Sequence, residues 1–367
     1  MKRSLLVTLA LLVCVASVSV FAQDVQTARP MFKAIPPHSY YPVRPAEPAA
    51  QLTQFNLTWK SSKNNQNYTS TIVGTDPTQN NSTTTVTIGV IPIKMVYGPN
   101  NGNMTFDPGT KYVGNYSTTQ MFLNSPMLQK YIDFNQGGTD LGNTQYIDAY
   151  TRGNFWASVQ SNTNYHLILK PVLGPTQTIN VANGQGLVET NPLGGGYKIG
   201  TMDINAFDAQ LQTIINKYSQ IQPNVLPFFI TYNVYLTEGG CCIGGYHSAN
   251  GRQPGAQTYG YTTIMAQNPN GQALFAQDVS AAAHELGEWQ LDPFVDNSSP
   301  CPNNGILENG DPLENNSSYG QYPYTYKGFT FHPQDLVFLS WFGQSPSTAV
   351  NGWTTFQNEK LGVCIIN

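Results

Sequence analysis

Residues 278–293, Asp-Val-Ser-Ala-Ala-Ala-His-Glu-Leu-Gly-Glu-Trp-Gln-Leu-Asp-Pro, constrain this chain more than any other stretch. They spell a helix with a marked start and stop. Asp278 can accept from the unpaired backbone N–H groups of a first turn, and Pro293 cannot continue the hydrogen-bond ladder. The alanine run favours helix, and Val279, Ala282, Ala283, Leu286 and Trp289 recur at helical spacing on one face. His284 and Glu288 are four apart on another face, with Glu285 beside them. One turn separates that pair by only about 6 Å along the axis, so both can reach one ion.

Charge is scarce here, which sharpens the point. Charged residues make up 10% of the chain, yet two glutamates flank one histidine on a helix that otherwise reads as buried. Buried carboxylates need partners, and a cation satisfies several at once. The plainer alternative is a polar seam in which His284 and Glu288 simply bond to each other as an i, i+4 pair.

The spelling His284-Glu285-x-x-Glu288 resembles the active-site helix of the zincin group of zinc metallopeptidases, whose motif is His-Glu-x-x-His. The resemblance covers this helix and its flanks. It implies His284 as first zinc ligand, Glu285 as general base and Glu288 in the place of the second ligand. Zinc accepts carboxylate oxygen as well as imidazole nitrogen, and a catalytic site needs three protein ligands and an open position. A carboxylate there lowers the net charge on the ion and makes its water less acidic. The resemblance also implies a downstream acid or histidine as third ligand. Glu308 and Asp311, in Glu-Asn-Gly-Asp, are the best-placed acids, although Asn-Gly-Asp-Pro also reads as a plain turn. His332 is a further candidate, as a ligand or as a donor to the oxyanion of a tetrahedral intermediate. Asp292 lies about 12 Å further along a straight helix than His284 and reads as a turn former. His247, after a glycine loop, could line the cleft, but lone histidines are more often packing residues, and His166 and His38 receive no role. The tyrosines at 319, 322, 324 and 326 could each supply a hydroxyl.

Lys2 and Arg3, an apolar run from Leu5 to Phe21 and the small residues of Val20-Phe21-Ala22 predict a signal peptide over 1–22. Export places the protein in a periplasm or outside the cell. Of the 5 cysteines, Cys14 falls within that signal, leaving Cys241, Cys242, Cys301 and Cys364 for two disulfides. A ring between neighbours is strained, so Cys241 and Cys242 are each expected to bridge to Cys301 or Cys364. The net charge is −4 without any basic stripe, which argues against nucleic acid. No further stretch is long and apolar enough to span a membrane.

Residues 23–51 hold six prolines, from Pro30 to Pro48, and read as an extended leader or linker. Strand-like text begins at Phe55, with an Asn/Thr/Ser-rich loop or irregular hairpin over 61–82. Thr83–Tyr97 reads as one long strand, or two broken at Pro92. Helical spacing follows over Ser117–Phe134 and Gln145–Val159, and Tyr165–Lys170 is a strand. Asp203 should cap a helix over Ile204–Tyr218. Val225–Leu236 and Thr258–Met265 should pair as a hairpin around a glycine- and cysteine-rich loop holding His247. Asp335–Phe342 should pack back as a short helix or strand. The expected fold is therefore α+β and zincin-like: a mixed β-sheet packed on helices over 52–293, ending in the metal-site helix. A loop-rich C-terminal subdomain, 294–367, would complete the site.

The leading functional expectation is an exported zinc-dependent peptidase-like hydrolase acting on a peptide or protein. Its alternative is a secreted or cell-surface binding module with a structural ion, zinc or, in the acidic 308–316 loop, calcium. A sugar hydrolase with paired carboxylates ranks below both, because nothing fixes the acid separation. No Gly-x-Ser-x-Gly elbow and no Gly-x-x-x-x-Gly-Lys-Ser/Thr stretch occurs.

Overall fold

The computed structural model describes residues 31–34, 51–113, 116–191, 197–252, 255–266, 277–301, 305–314, 323–326 and 328–364. The expected signal peptide, most of the 23–51 leader, Tyr319 and Tyr322 lie outside the described residues.

From the N-terminus come β1 (Met31–Ala34), the hairpin β2 (Gln54–Lys60) and β3 (Asn67–Val73), and the 15-residue β4 (Thr83–Tyr97). Short strands β5 (Met104–Phe106), β6 (Lys111–Val113) and β7 (Tyr116–Ser117) lead into α1 (Thr118–Leu123). A second hairpin, β8 (Ile132–Gln136) and β9 (Thr139–Thr144), precedes α2 (Tyr146–Asn154) and α3 (Trp156–Val159). Next are β10 (His166–Leu173), β11 (Gln177–Val181), β12 (Val188–Thr190), β13 (Lys198–Asp203) and α4 (Ile204–Lys217). Four strands, β14 (Val225–Tyr232), β15 (Val234–Thr237), β16 (Ile243–Ala249) and β17 (Thr258–Ile264), then run up to α5 (Ser280–Leu291). The small ladder of β18 (Tyr324–Tyr326) and β19 (Phe329–Phe331) lies downstream.

Eleven strands join one mixed sheet in the order β10-β4-β14-β17-β16-β15-β13-β12, with β1 on β16 and both β5 and β11 on β4. Among the described residues strands outweigh helices by 38% to 19%, and the sheet is nearly closed and barrel-like. This overturns the expected zincin-like α+β fold built on helices. The 61–82 stretch, read as a loop or an irregular hairpin, contains β3 of the β2–β3 hairpin, and the glycine-rich text around His247, read as loop, is β16. The 117–134 region holds only the short α1 before turning into β8.

β4 shows how one strand serves two cores. Val86, Ile88 and Val90 pack into the cluster that holds α2 and α5, whereas Ile91, Ile93, Met95 and Tyr97 pack into the one that holds α4. The alternation of a strand puts these two sets on opposite faces, so the buried face changes near its middle. Pro92 sits at that crossing. β10 stops pairing at Val90, β11 starts at Ile93, and β14 reaches no further than Pro92. A residue without an N–H is tolerated where ladders change hands.

The expected hairpin of Val225–Leu236 with Thr258–Met265 does not form. β17 runs parallel to β14, from Phe228↔Gly260 to Tyr232↔Ile264. The first segment breaks at Asn233, whose φ of 53° asparagine tolerates better than most residues, and β15 leaves to pair with β13. Asp203 does cap α4, its carboxylate accepting from the Ala206 N–H. Asp278 does not cap α5; its Oδ1 accepts instead from Val279 N–H and His332 N–H. Residues 335–342 form turns and a single bridge, Val337↔Thr355, rather than a helix or strand.

The cysteines also pair otherwise than expected. Cys301 bonds to Cys364, and the sulfurs of Cys241 and Cys242 lie against each other. The first pair fastens the segment after α5 to the C-terminal stretch. Among the described residues no helix is long and apolar enough to cross a membrane.

Candidate metal centre

α5 is buried on every side, not only along its apolar stripe. Val279, Ala282, Ala283, Leu286 and Trp289 join the larger core as expected, and Trp289 Nε1 donates to Thr258 Oγ1 at 3.0 Å. The opposite side carries His284, Glu285 and Glu288, all 0% exposed, against β16 and the 308–311 and 334 segments. Small residues make the room. A Cβ on Gly245 would fall 2.7 Å from Glu285 Oε1, and one on Gly310 would run into the His284 ring.

His284 is held on both sides. Gln334 donates its Nε2–H to the Gly310 carbonyl at 2.7 Å, which turns its Oε1 toward His284 Nδ1 at 2.9 Å. Nδ1 therefore carries the proton, and the Nε2 lone pair faces Glu288 Oε1 at 2.9 Å and Asp311 Oδ1 at 3.6 Å. Fixing the outer nitrogen of an imidazole by a hydrogen bond is what sets a ligand's tautomer in metal sites. Tyrosines of α2 brace this region: Tyr146 OH donates to the Gln334 carbonyl, Tyr150 OH to the Val337 carbonyl, and Asn309 Nδ2 donates to Tyr150 OH.

His247 approaches from β16. Its neighbour Tyr246 points the other way and bonds to Asp208 of α4, as alternation requires. Nδ1 of His247 is 3.3 Å from Glu285 Oε2 and 3.6 Å from Glu288 Oε2, and Nε2 is 3.2 Å from the Asp292 carbonyl.

Electrostatically the cluster is overloaded with acid. Burial, then mutual repulsion, pushes the carboxyls of Glu285 and Glu308 well above the ordinary glutamate range. Burial and the nearby Asp311 do the same to Glu288. Burial lowers both imidazoles, His247 to about 3, so neither supplies a positive charge at neutral pH. Such a group of neutral imidazoles and crowded carboxylates binds either protons or a cation. Two sets of side chains could each hold an ion: His284, Glu288 and Asp311, and His247, Glu285 and Glu288.

Of the residues singled out from sequence, the fold brings together His284, Glu285, Glu288, Glu308 and Asp311. Asp311 opens a 3-10 turn and is 29% exposed at its side chain, whereas Glu308 is buried against Glu288. His332 lies elsewhere: its Nδ1 is 2.8 Å from Asp278 Oδ2, at the start of α5. Asp292 behaves as a turn former, accepting from the Asp296 and Asn297 N–H groups. Sequence reasoning set His247 aside and missed Gln334 altogether. The signal for His247 was Ile243-Gly-Gly-Tyr-His-Ser-Ala249 read as a strand, with Gly245 and His247 on one face. No family model matches the chain, and neither does any curated protein or solved structure.

Proposed function

We propose that this protein is an exported metal-dependent hydrolase, with zinc as the ion and a peptide or protein as the substrate. The observation that carries the reading is the His284 arrangement: a buried, neutral imidazole whose proton is committed to Gln334 while its lone pair faces Glu288 and Asp311. Those three residues would hold the ion, and of the two candidate third ligands Asp311 fits better than Glu308. An ion there would supply Lewis acidity and lower the pKa of a water molecule. Gln334 and Gly310 orient the imidazole, Asp311 is the solvent-facing side of the set, and Glu285 is the adjacent acid that takes a proton. Burial raises the Glu285 carboxyl above the ordinary glutamate range, which makes it a stronger proton acceptor than an exposed glutamate.

The peptide class draws support from the chain itself. β1 lies parallel on β16, with Ala34 opposite His247. An extended backbone therefore fits the edge that runs past the cluster, with main-chain hydrogen bonds supplying affinity. The cysteine pairs suit an oxidising compartment, in keeping with export.

Full burial of His284, Glu285 and Glu288 favours a second reading, a secreted binding module whose ion is structural. Glu285→Gln separates the two. In the hydrolase, that variant folds but loses roughly a hundredfold or more of peptide cleavage, the range for a general base. Unchanged cleavage would exclude Glu285 as the base, and no cleavage from either protein across a broad peptide library leaves the structural ion.

A further inference from the structure

The His247 side of the cluster has its own logic. The Asp292 carbonyl can only accept, so Nε2, 3.2 Å away, carries the imidazole proton. Nδ1 then presents a lone pair to Glu285 Oε2 at 3.3 Å and Glu288 Oε2 at 3.6 Å. With both carboxyls ionised, three acceptors converge with no donor among them. Glu285 Oε1 and Glu288 Oε2 are buried and make no hydrogen bond. Ligand atoms about 2.1 Å from a tetrahedral ion lie about 3.4 Å apart, which matches this spacing. The other oxygen of Glu288, Oε1, faces His284 and accepts from the Gly310 N–H at 3.1 Å. The two oxygens of one carboxylate thus look toward two different imidazoles.

We propose that His247, Glu285 and Glu288 form a second divalent-cation site, joined to the first through Glu288, so that the protein holds a pair of ions. The proposal rests on the reading of His284, Glu288 and Asp311 as ligands; Oε2 of Glu285 then serves as a ligand, and its Oε1 is left as the proton acceptor. Mixed imidazole and carboxylate ligation suits zinc or manganese better than calcium. A pair of ions sharing a carboxylate would stabilise both the attacking and the leaving group of a hydrolysis.

The full chain, stripped with chelator and dialysed against zinc, tests this by metal counting. The expected contents are two ions in the wild type and one in each of His247→Ala and Glu285→Gln. One ion in the wild type, unchanged in both variants, overturns the second site and leaves the first standing; a shared proton between Glu285 and His247 then explains the geometry. No zinc in the wild type overturns both readings. Manganese loading of the unaltered chain covers the case in which a variant misfolds. Its electron paramagnetic resonance spectrum should be that of a spin-coupled pair, and the signal of isolated ions would contradict the proposal.

Discussion

Gln334 does more for His284 than any ligand can do for itself. It fixes the tautomer and ties the imidazole to the Gly310 carbonyl, which lies one residue before Asp311. Gln334→Ala should weaken zinc binding by roughly 10- to 100-fold while the fold survives, the cost usual for an outer-shell partner; competition with a fluorescent chelator measures it. A second residue-scale effect concerns Asp335, whose carboxyl burial pushes up from 3.8 to about 8. The folded protein therefore keeps a proton there that the unfolded chain gives up near pH 4. That contribution to stability is fully present below about pH 4 and is lost as pH rises toward 8, by up to about 1.4 kcal/mol per pH unit. Asp335→Asn should flatten the fall and raise stability at pH 7, as read from urea unfolding across that range. Equal pH dependence in both proteins would exclude Asp335 as its source.

At the scale of elements, α5 and β16 form the frame of the site, and β1 covers part of it. If the strand at Met31–Ala34 occupies the edge a substrate uses, a chain beginning at residue 51 should cleave peptides several-fold faster than the full chain. Identical rates would mean that substrate approaches from elsewhere. α5 was legible in the sequence because its apolar spacing, alanine run and terminal proline all agree. α4 was legible for the same kind of reason, with Asp203 as its cap. β16 was not, because Gly244, Gly245 and Ser248 carry no strand signal. Gly245 is small because Glu285 needs the space. The start of α5 was misread because Asp278 spends its carboxylate on His332, 54 residues away. Long-range partners of that kind leave no trace in local spacing.

For the whole molecule, the helix motif marked side chains that do lie together, and it implied the wrong architecture. A four-residue spacing fixes which side chains share a helix face, and it says nothing of how many strands surround that face. Strands β4, β10, β14 and β17 of the eleven-stranded sheet were legible one by one, but their pairing was not, because parallel pairs such as β4–β14 join segments more than a hundred residues apart. On the reading proposed here, a cation neutralises the acids buried around α5. Ligand that binds only the folded state stabilises it by about 2.7 kcal/mol at a hundredfold excess over Kd. The most direct measurement is the melting temperature of chelator-stripped protein as zinc is added, alongside His284→Ala. A rise of several degrees in the wild type, absent in the variant, is the predicted result. Superimposable melting curves with and without zinc would contradict it, and would leave His284, Glu285 and Glu288 as a proton-sharing seam within a buried helix.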